Sequence, residues 1–184
     1  MRIITGIARG RIIKAPDGLN TRPTSDRVKE SMFNILDYHY SYENVLDLFA
    51  GSGNLGLEAI SRGAKKCIFI EQNKEAYNYL VDNIKNLKFE DYCQHYRQDA
   101  FAAVEILAKR GEKFDLIFLD PPYGKGLVEK SIKSIYEKDL LDDNGVIVSE
   151  QDVNDVLPDI IGNIKKVRVE KYGRTAIAFW SKEE

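Results

Sequence analysis

From Val45 onward the chain alternates short apolar runs with longer stretches whose apolar residues recur every three or four positions, and no other feature restricts its fold as much. The runs at residues 45–49, 67–70, 92–97, 116–119 and 146–148 read as strands. Residues 55–62, 74–87, 101–110 and 127–138 read as helices, the second because Ala76, Leu80, Ile84 and Leu87 repeat at helical spacing. A helix between two strands returns the chain to the end from which it started, so successive strands lie parallel and the sheet is covered on both faces. The tail departs from this pattern. Residues 166–172 and 175–180 alternate as strands around Gly173-Arg174, a connection that only an antiparallel pair can use.

Ahead of the alternation, Ile3, Ile4, Ile7 and then Ile12, Ile13 flank Ala8-Arg9-Gly10, which reads as a β-hairpin. Thr24-Ser25-Asp26 offers N-cap oxygens to a helix running to about residue 38, with Val28, Met32, Ile35 and Leu36 on its apolar face. The expected architecture is α/β: one domain over residues 1–184 with a Rossmann-like sheet, mostly parallel and ending in an antiparallel hairpin. Its basic N-terminal hairpin extension spans residues 1–20 and its core residues 24–184.

At 184 residues a chain can bury a full core without disulfides or metals, and Cys67 and Cys93 sit in strand-like runs, so they read as core thiols of a reducing compartment. The absence of an apolar run long enough to span a bilayer, or of an apolar leader, predicts a cytoplasmic protein with no membrane partner. The formal charge of -2 conceals an asymmetry. Residues 1–30 hold seven basic side chains and three acidic ones, a local +4 that leaves -6 on the remainder. A basic arm on an acidic body suits either a polyanion held at one end or a merely solvated surface.

Asp47-Leu48-Phe49-Ala50-Gly51-Ser52-Gly53-Asn54-Leu55-Gly56 follows the first expected strand, opens a helix and fits G-x-G-x-x-G. Glu71 closes the next strand, where a carboxylate can accept hydrogen bonds from both hydroxyls of a ribose. Dinucleotides of the nicotinamide type and S-adenosylmethionine both fit that pair. Asp47 favours the second, because a carboxylate before the loop repels a pyrophosphate and attracts an ammonium. Asp120-Pro121-Pro122-Tyr123 ends the fourth strand, where two prolines fix the backbone. The carboxylate and the Pro121 carbonyl can then point at one amino group while Tyr123 offers a ring face to a planar base. Asp99 is open to two readings, an acceptor for an adenine amino group or an N-cap for the helix that follows. His39 and His95 lie near no Cys or carboxylate at ligand spacing, so no metal is expected.

These residues together look like those of a class I S-adenosylmethionine-dependent methyltransferase that modifies amino groups. The ends narrow the likeness: Gly6 with Arg9-Gly10-Arg11, the run Arg22-Pro-Thr-Ser-Asp-Arg27-Val-Lys-Glu30-Ser-Met-Phe33-Asn-Ile-Leu36, and Tyr172-Gly-Arg-Thr175 resemble the RsmD family of bacterial ribosomal RNA methyltransferases. The resemblance spans essentially the whole chain, departing mildly at Ser25, where a second Thr is commoner. It implies methylation of the exocyclic N2 amino group of a guanine in 16S rRNA, within an assembling small ribosomal subunit, by a monomer using S-adenosylmethionine and leaving S-adenosylhomocysteine. Carried onto this sequence, Asp47, Phe49, Gly51, Ser52, Gly53, Glu71, Asp99 and Ala100 hold the cofactor. Asp120, Pro121, Pro122 and Tyr123 form the catalytic set. Arg9, Arg11, Arg22 and Arg27 meet RNA, and Thr24, Asp26 and Arg27 lie at the rim of the cofactor or the RNA.

A guanine amino group in a paired helix is out of reach of a recessed pocket, so a flipped or loop base is expected, stacked on Tyr123. Stacking alone predicts that Tyr123→Phe is tolerated and Tyr123→Ala is not. The amino clamp itself also fits DNA adenine or protein glutamine. A nicotinamide oxidoreductase or a silent RNA-binding module would leave Asp120–Tyr123 or the cofactor loop without a role.

Overall fold

In a computed structural model of the chain, residues 1–18, 24–36 and 42–183 are described. Among them eight strands form one sheet in the order β3-β2-β1-β4-β5-β8-β7-β6. Its parallel half comprises β1 (Asn44–Asp47), β2 (Lys66–Ile70), β3 (Cys93–Tyr96), β4 (Phe114–Leu119) and β5 (Leu141–Asp152). The antiparallel end comprises β6 (Ile160–Ile161), β7 (Ile164–Tyr172) and β8 (Thr175–Lys182). The α/β class, the parallel sheet and its closing hairpin are as the sequence predicts.

Helices α1 (Asp26–Leu36), α2 (Asn54–Ser61) and α3 (Lys74–Leu87) cover one face, where Val28, Phe33, Leu57 and Leu80 join Phe69 and Phe118 in one apolar cluster. Helices α4 (Ala100–Lys109) and α5 (Leu127–Glu137) cover the other, with Val104 and Ile132 against Leu46, Ile117 and Trp180. Local chemistry sets the helix starts. Asn73 accepts from the Ala76 N–H at 3.0 Å to begin α3, and the Ser25 hydroxyl accepts from the Val28 N–H at 3.3 Å to begin α1.

The structure corrects two expectations and adds one strand. Strand β5 runs for twelve residues rather than three, because β8 pairs antiparallel with Val146–Asp152 and carries it through the polar stretch Ser149–Asp152. The short β6 has no sequence signal of its own. The N-terminal hairpin is only a single antiparallel bridge, Arg2 to Ile12, flanked by Ile3 N–H to Arg11 C=O at 2.9 Å and Gly10 N–H to Ile3 C=O at 2.8 Å. It is held by what lies beneath it: Ile3, Ala8 and Ile13 are buried in the same cluster as α1, α2 and α3.

Candidate active site

Strands β1 and β4 are neighbours, yet the chain leaves β1 towards β2 and β4 towards β5, so the loops after them diverge and open a crevice at their C-terminal ends. Both sequence motifs lie there. The loop after β1 is pinned by Ala50 N–H to Ile70 C=O at 2.9 Å and Gly53 N–H to Ala50 C=O at 2.8 Å. Gly51 and Gly53 have φ of 56° and 95°, the left-handed region that side chains avoid, and a Cβ on Gly51 would meet only open space. The loop therefore offers bare backbone to the crevice. Gly56 has a different task, since a Cβ there would lie 2.3 Å from the Phe69 ring and 2.8 Å from Cys67 Sγ, so it lets α2 lie close on β2.

Glu71, just beyond β2, accepts from the Gly51 N–H through Oε2 at 2.7 Å and from the Asn73 N–H through Oε1 at 2.7 Å. Each oxygen keeps a second lone pair for a ligand hydroxyl. Asp47 lies beneath the loop at 1% exposure and accepts from the Gly56 N–H at 3.0 Å. Burial pushes its carboxyl up to about 7, against the Gly56 hydrogen bond and with a smaller push from Glu71. Ser52 is buried and its carbonyl accepts from Asn83 Nδ2 at 2.9 Å, while Phe49 packs on the α4–α5 side. Asp99 caps α4, its Oδ2 accepting from the N–H groups of Phe101 at 3.0 Å and Ala102 at 2.9 Å. Of its two readings the structure displays the cap, which places buried Ala100 at the first helical position.

Across the crevice, Asp120 follows β4. Strands β4 and β5 pair Leu119 with Ser149, so the next residues along, Asp120 and Glu150, stand side by side at the end of the sheet. Sequence reasoning missed Glu150; it falls in a strand longer than its apolar run and belongs to no motif. Only 4% exposed, it accepts from the Tyr123 hydroxyl through Oε1 at 2.8 Å and from the Thr24 hydroxyl through Oε2. Thr175 of β8 lies 3.3 Å from the Tyr123 hydroxyl. Burial raises the Asp120 carboxyl well above its ordinary range, and the charges of Glu150 and Asp47 add to this. Burial also raises Glu150, partly offset by the Thr24 and Tyr123 hydroxyls. The Tyr123 ring, 40% exposed, is thus tethered by the hydroxyl that the stacking argument leaves idle.

The basic residues separate. Arg9 and Arg27 line one surface cavity of about 510 Å³ between the hairpin and α1, together with Arg2, Asp26 and Glu30. Arg11 instead donates to the Asn86 carbonyl at 2.5 Å, and Arg22 lies outside the described residues, as does His39. Part of the arm's charge is consumed internally. Lys29 is fully buried, 3.1 Å from Glu58, and Arg2 pairs with Asp26 at 2.9 Å.

This sheet order, with a glycine loop after β1, an acid after β2 and Asp-Pro-Pro-Tyr after β4, defines a class I methyltransferase. The chain belongs to the family described as Conserved hypothetical protein 95, matched over residues 1–181, which is the RsmD family of the resemblance. Among its relatives, YlbH of Bacillus subtilis (strain 168) is 42% identical over 182 residues, covering 99% of either chain. Ribosomal RNA small subunit methyltransferase D of Escherichia coli (strain K12) is 36% identical over 183 residues, covering 100% of this chain and 90% of that one. The solved structure of yhhF from Escherichia coli superposes with a TM-score of 0.86 at 35% identity, covering 100% of this chain and 98% of that one.

Proposed function

We propose that this chain methylates the exocyclic N2 amino group of a guanine in 16S ribosomal RNA, with S-adenosylmethionine as donor. The observation that carries the reading is the placement of Asp120-Pro-Pro-Tyr123 beside the glycine loop and Glu71 at one crevice. The relatives' names supply the ribosomal RNA.

The residues present fit this cofactor. Glu71 keeps lone pairs for two ribose hydroxyls, Gly51 presents bare backbone to open space with Ser52 and Gly53 continuing the loop, and Asp47 offers a carboxylate for the ammonium of the methionine part. Phe49, Asp99 and Ala100 complete the set on the adenine side. Bound there, S-adenosylmethionine supplies an electrophilic methyl group. Asp120 and the Pro121 carbonyl would each accept one hydrogen of the target amino group, which favours the tetrahedral nitrogen that attack creates. Pro122 fixes the turn and the Tyr123 ring carries the base. The carboxylate stabilises the charge developing on nitrogen and takes the proton that leaves it. Arg9, Arg11, Arg22 and Arg27 would meet phosphates of an RNA within an assembling small subunit, with the hairpin of residues 1–20 as an extension of the catalytic core at 24–184.

The test is labelled methyl transfer to small subunits lacking the modification, with naked RNA and genomic DNA in parallel and nucleoside mass analysis. Label in N2-methylguanosine is expected; label confined to methyladenine in DNA, or no label in any acceptor, overturns the reading. Asp120→Ala should abolish transfer while S-adenosylmethionine binding by calorimetry stays within a few-fold of wild type.

A further inference from the structure

The string Tyr172-Gly-Arg-Thr175 carries part of the family resemblance but has no task in the methyl transfer itself. In the fold it is the turn between β7 and β8. Strands β5 and β8 pair Asp152 with Thr175, and β4 and β5 pair Leu119 with Ser149, so the turn lies beyond the same end of the sheet as Asp120 and Tyr123. Contacts fix it there. Thr175 Oγ1 lies 3.3 Å from the Tyr123 hydroxyl, and the Arg174 carbonyl accepts from the Val153 N–H at 2.9 Å. The Tyr172 and Ser31 hydroxyls meet at 2.5 Å, which docks the turn against α1. Gly173, at φ 59°, permits the tight return, and a Cβ on it would meet only open space.

Arg174 occupies the exposed side of this turn. Its side chain is 83% exposed, and its ionic partner among the described residues is Asp152 at 3.8 Å. A pair so long and so exposed contributes little and leaves the guanidinium able to turn to another anion. Lys125 is exposed two residues after Tyr123, between Gly124 and Gly126 at φ of 76° and 63°. The crevice behind these two cations holds the carboxyl groups of Asp47, Glu71, Asp120 and Glu150. A crevice lined by such groups is a poor host for a phosphate unless cations stand at its lip.

We propose that the β7–β8 turn is an RNA contact at the target nucleotide: Arg174, with Lys125, holds the phosphodiester of the nucleotide whose base lies on Tyr123. The proposal rests on reading Tyr123 as the platform of the target base. The Tyr123 hydroxyl points inward to buried Glu150, and the amino edge of a base on the ring faces Asp120, so its ribose and phosphates leave by the solvent side. There the planar fork of an arginine on a pinned turn suits two oxygens of one phosphate. Arg9 and Arg27 line a separate cavity between the hairpin and α1. They meet the strand elsewhere along its course, whereas the turn meets the nucleotide that reacts.

Arg174→Gln and Lys125→Gln test this in labelled methyl transfer to small subunits lacking the modification, with filter binding of RNA across a salt series. Each should raise KM for the subunit about fivefold to tenfold, the size of one charge-assisted contact, and flatten the slope of log affinity against log salt by roughly 0.7. Both side chains are exposed, so S-adenosylmethionine affinity and thermal midpoint should equal those of wild type. Lys133→Gln removes the same charge further along α5, from a side chain 67% exposed, and should leave KM unchanged. Arg174→benzoylphenylalanine reads position directly: its photo-crosslink should map by primer extension to the methylated guanine or its immediate neighbour.

Wild-type KM and salt slope in Arg174→Gln would overturn the proposal. So would an equal rise of KM in Lys133→Gln, which would mean that net charge alone is felt, or a crosslink mapping far from the guanine. Failure of the underlying reading looks different, because the wild-type protein itself would then leave guanine unlabelled.

Discussion

Asp47, which we propose meets the cofactor's ammonium, burdens the free fold by its burial. Its carboxyl is raised to about 7 from an ordinary value near 4, so between those pH values the folded chain binds a proton that the unfolded chain has already lost. Stability from this group therefore falls as pH rises from about 4 to 7, and the cost is complete above 7. Asp47→Asn keeps an acceptor for the Gly56 N–H and removes that cost. The thermal midpoint of the variant at pH 8 should equal or exceed that of wild type, while its affinity for S-adenosylmethionine drops about tenfold or more through loss of a charge-assisted contact. Calorimetry and thermal scans on one preparation check both. At this scale legibility was uneven. Asp47, Glu71 and Asp120 were readable because a turn or a strand end places each in a recognisable string. Glu150 was not, since nothing in Val-Ser-Glu-Gln distinguishes a carboxylate at the crevice from one in solvent until β5 is aligned with β4. The Tyr123 hydroxyl was passed over for the same reason: its partners lie 27 and 52 residues away.

Helix α2 is only eight residues long, yet three other parts of the chain depend on it. Glu58 is fully buried and binds Lys29 Nζ at 3.1 Å, Arg62 Nε at 2.9 Å and the N–H groups of Ile4 and Thr5 at 2.9 and 3.1 Å. Lys29 in turn donates to the Arg2 carbonyl at 2.6 Å and to Asn54 Oδ1 at 2.8 Å. Burial lowers the lysine's pKa and Glu58 opposes that shift. Lys29→Met leaves a buried carboxylate short of a cation and should cost about 3–5 kcal/mol, read from denaturant midpoints. Gly56→Ala should lift α2 from Phe69 and Cys67 at a cost of about 1–3 kcal/mol, and weaken cofactor binding in step because the loop moves with the helix. Element types and order were legible from periodicity, and α3 agrees to the residue with its expected span. The length of β5 and the slightness of the N-terminal hairpin were not, because both depend on partners distant in sequence.

For the whole molecule, the charge arithmetic overstates the arm. Of the seven basic residues before residue 31, Lys29 is sequestered and Arg2 is paired; Arg9 and Arg27 lie beside a cavity, Arg11 and Lys14 are at the surface, and Arg22 lies outside the described residues. Each phosphate contact adds about 0.7–0.9 to the slope of log affinity against log salt, so Arg9→Gln with Arg27→Gln should flatten that slope for RNA by roughly 1.5. Cofactor affinity should not change. Filter binding across a salt series would show it, and an unchanged slope would place the RNA elsewhere.

The grip of α2 on the hairpin has a further consequence. Ser61 at the helix's end accepts from the Ile7 N–H at 2.9 Å and the Ala8 N–H at 3.0 Å, donates to the Thr5 carbonyl at 2.7 Å, and lies so near Gly6 that a Cβ there would sit 1.8 Å from its carbonyl oxygen. Asp47 clasps the other end, under the glycine loop. The N-terminal arm and the crevice are thus two fixed jaws of a caliper with α2 as its beam. On the proposed reading, in which the arm meets RNA and the crevice takes a guanine, such a frame measures a span as well as a base, and lengthening the RNA between the two points should defeat methyl transfer with every contacted nucleotide intact.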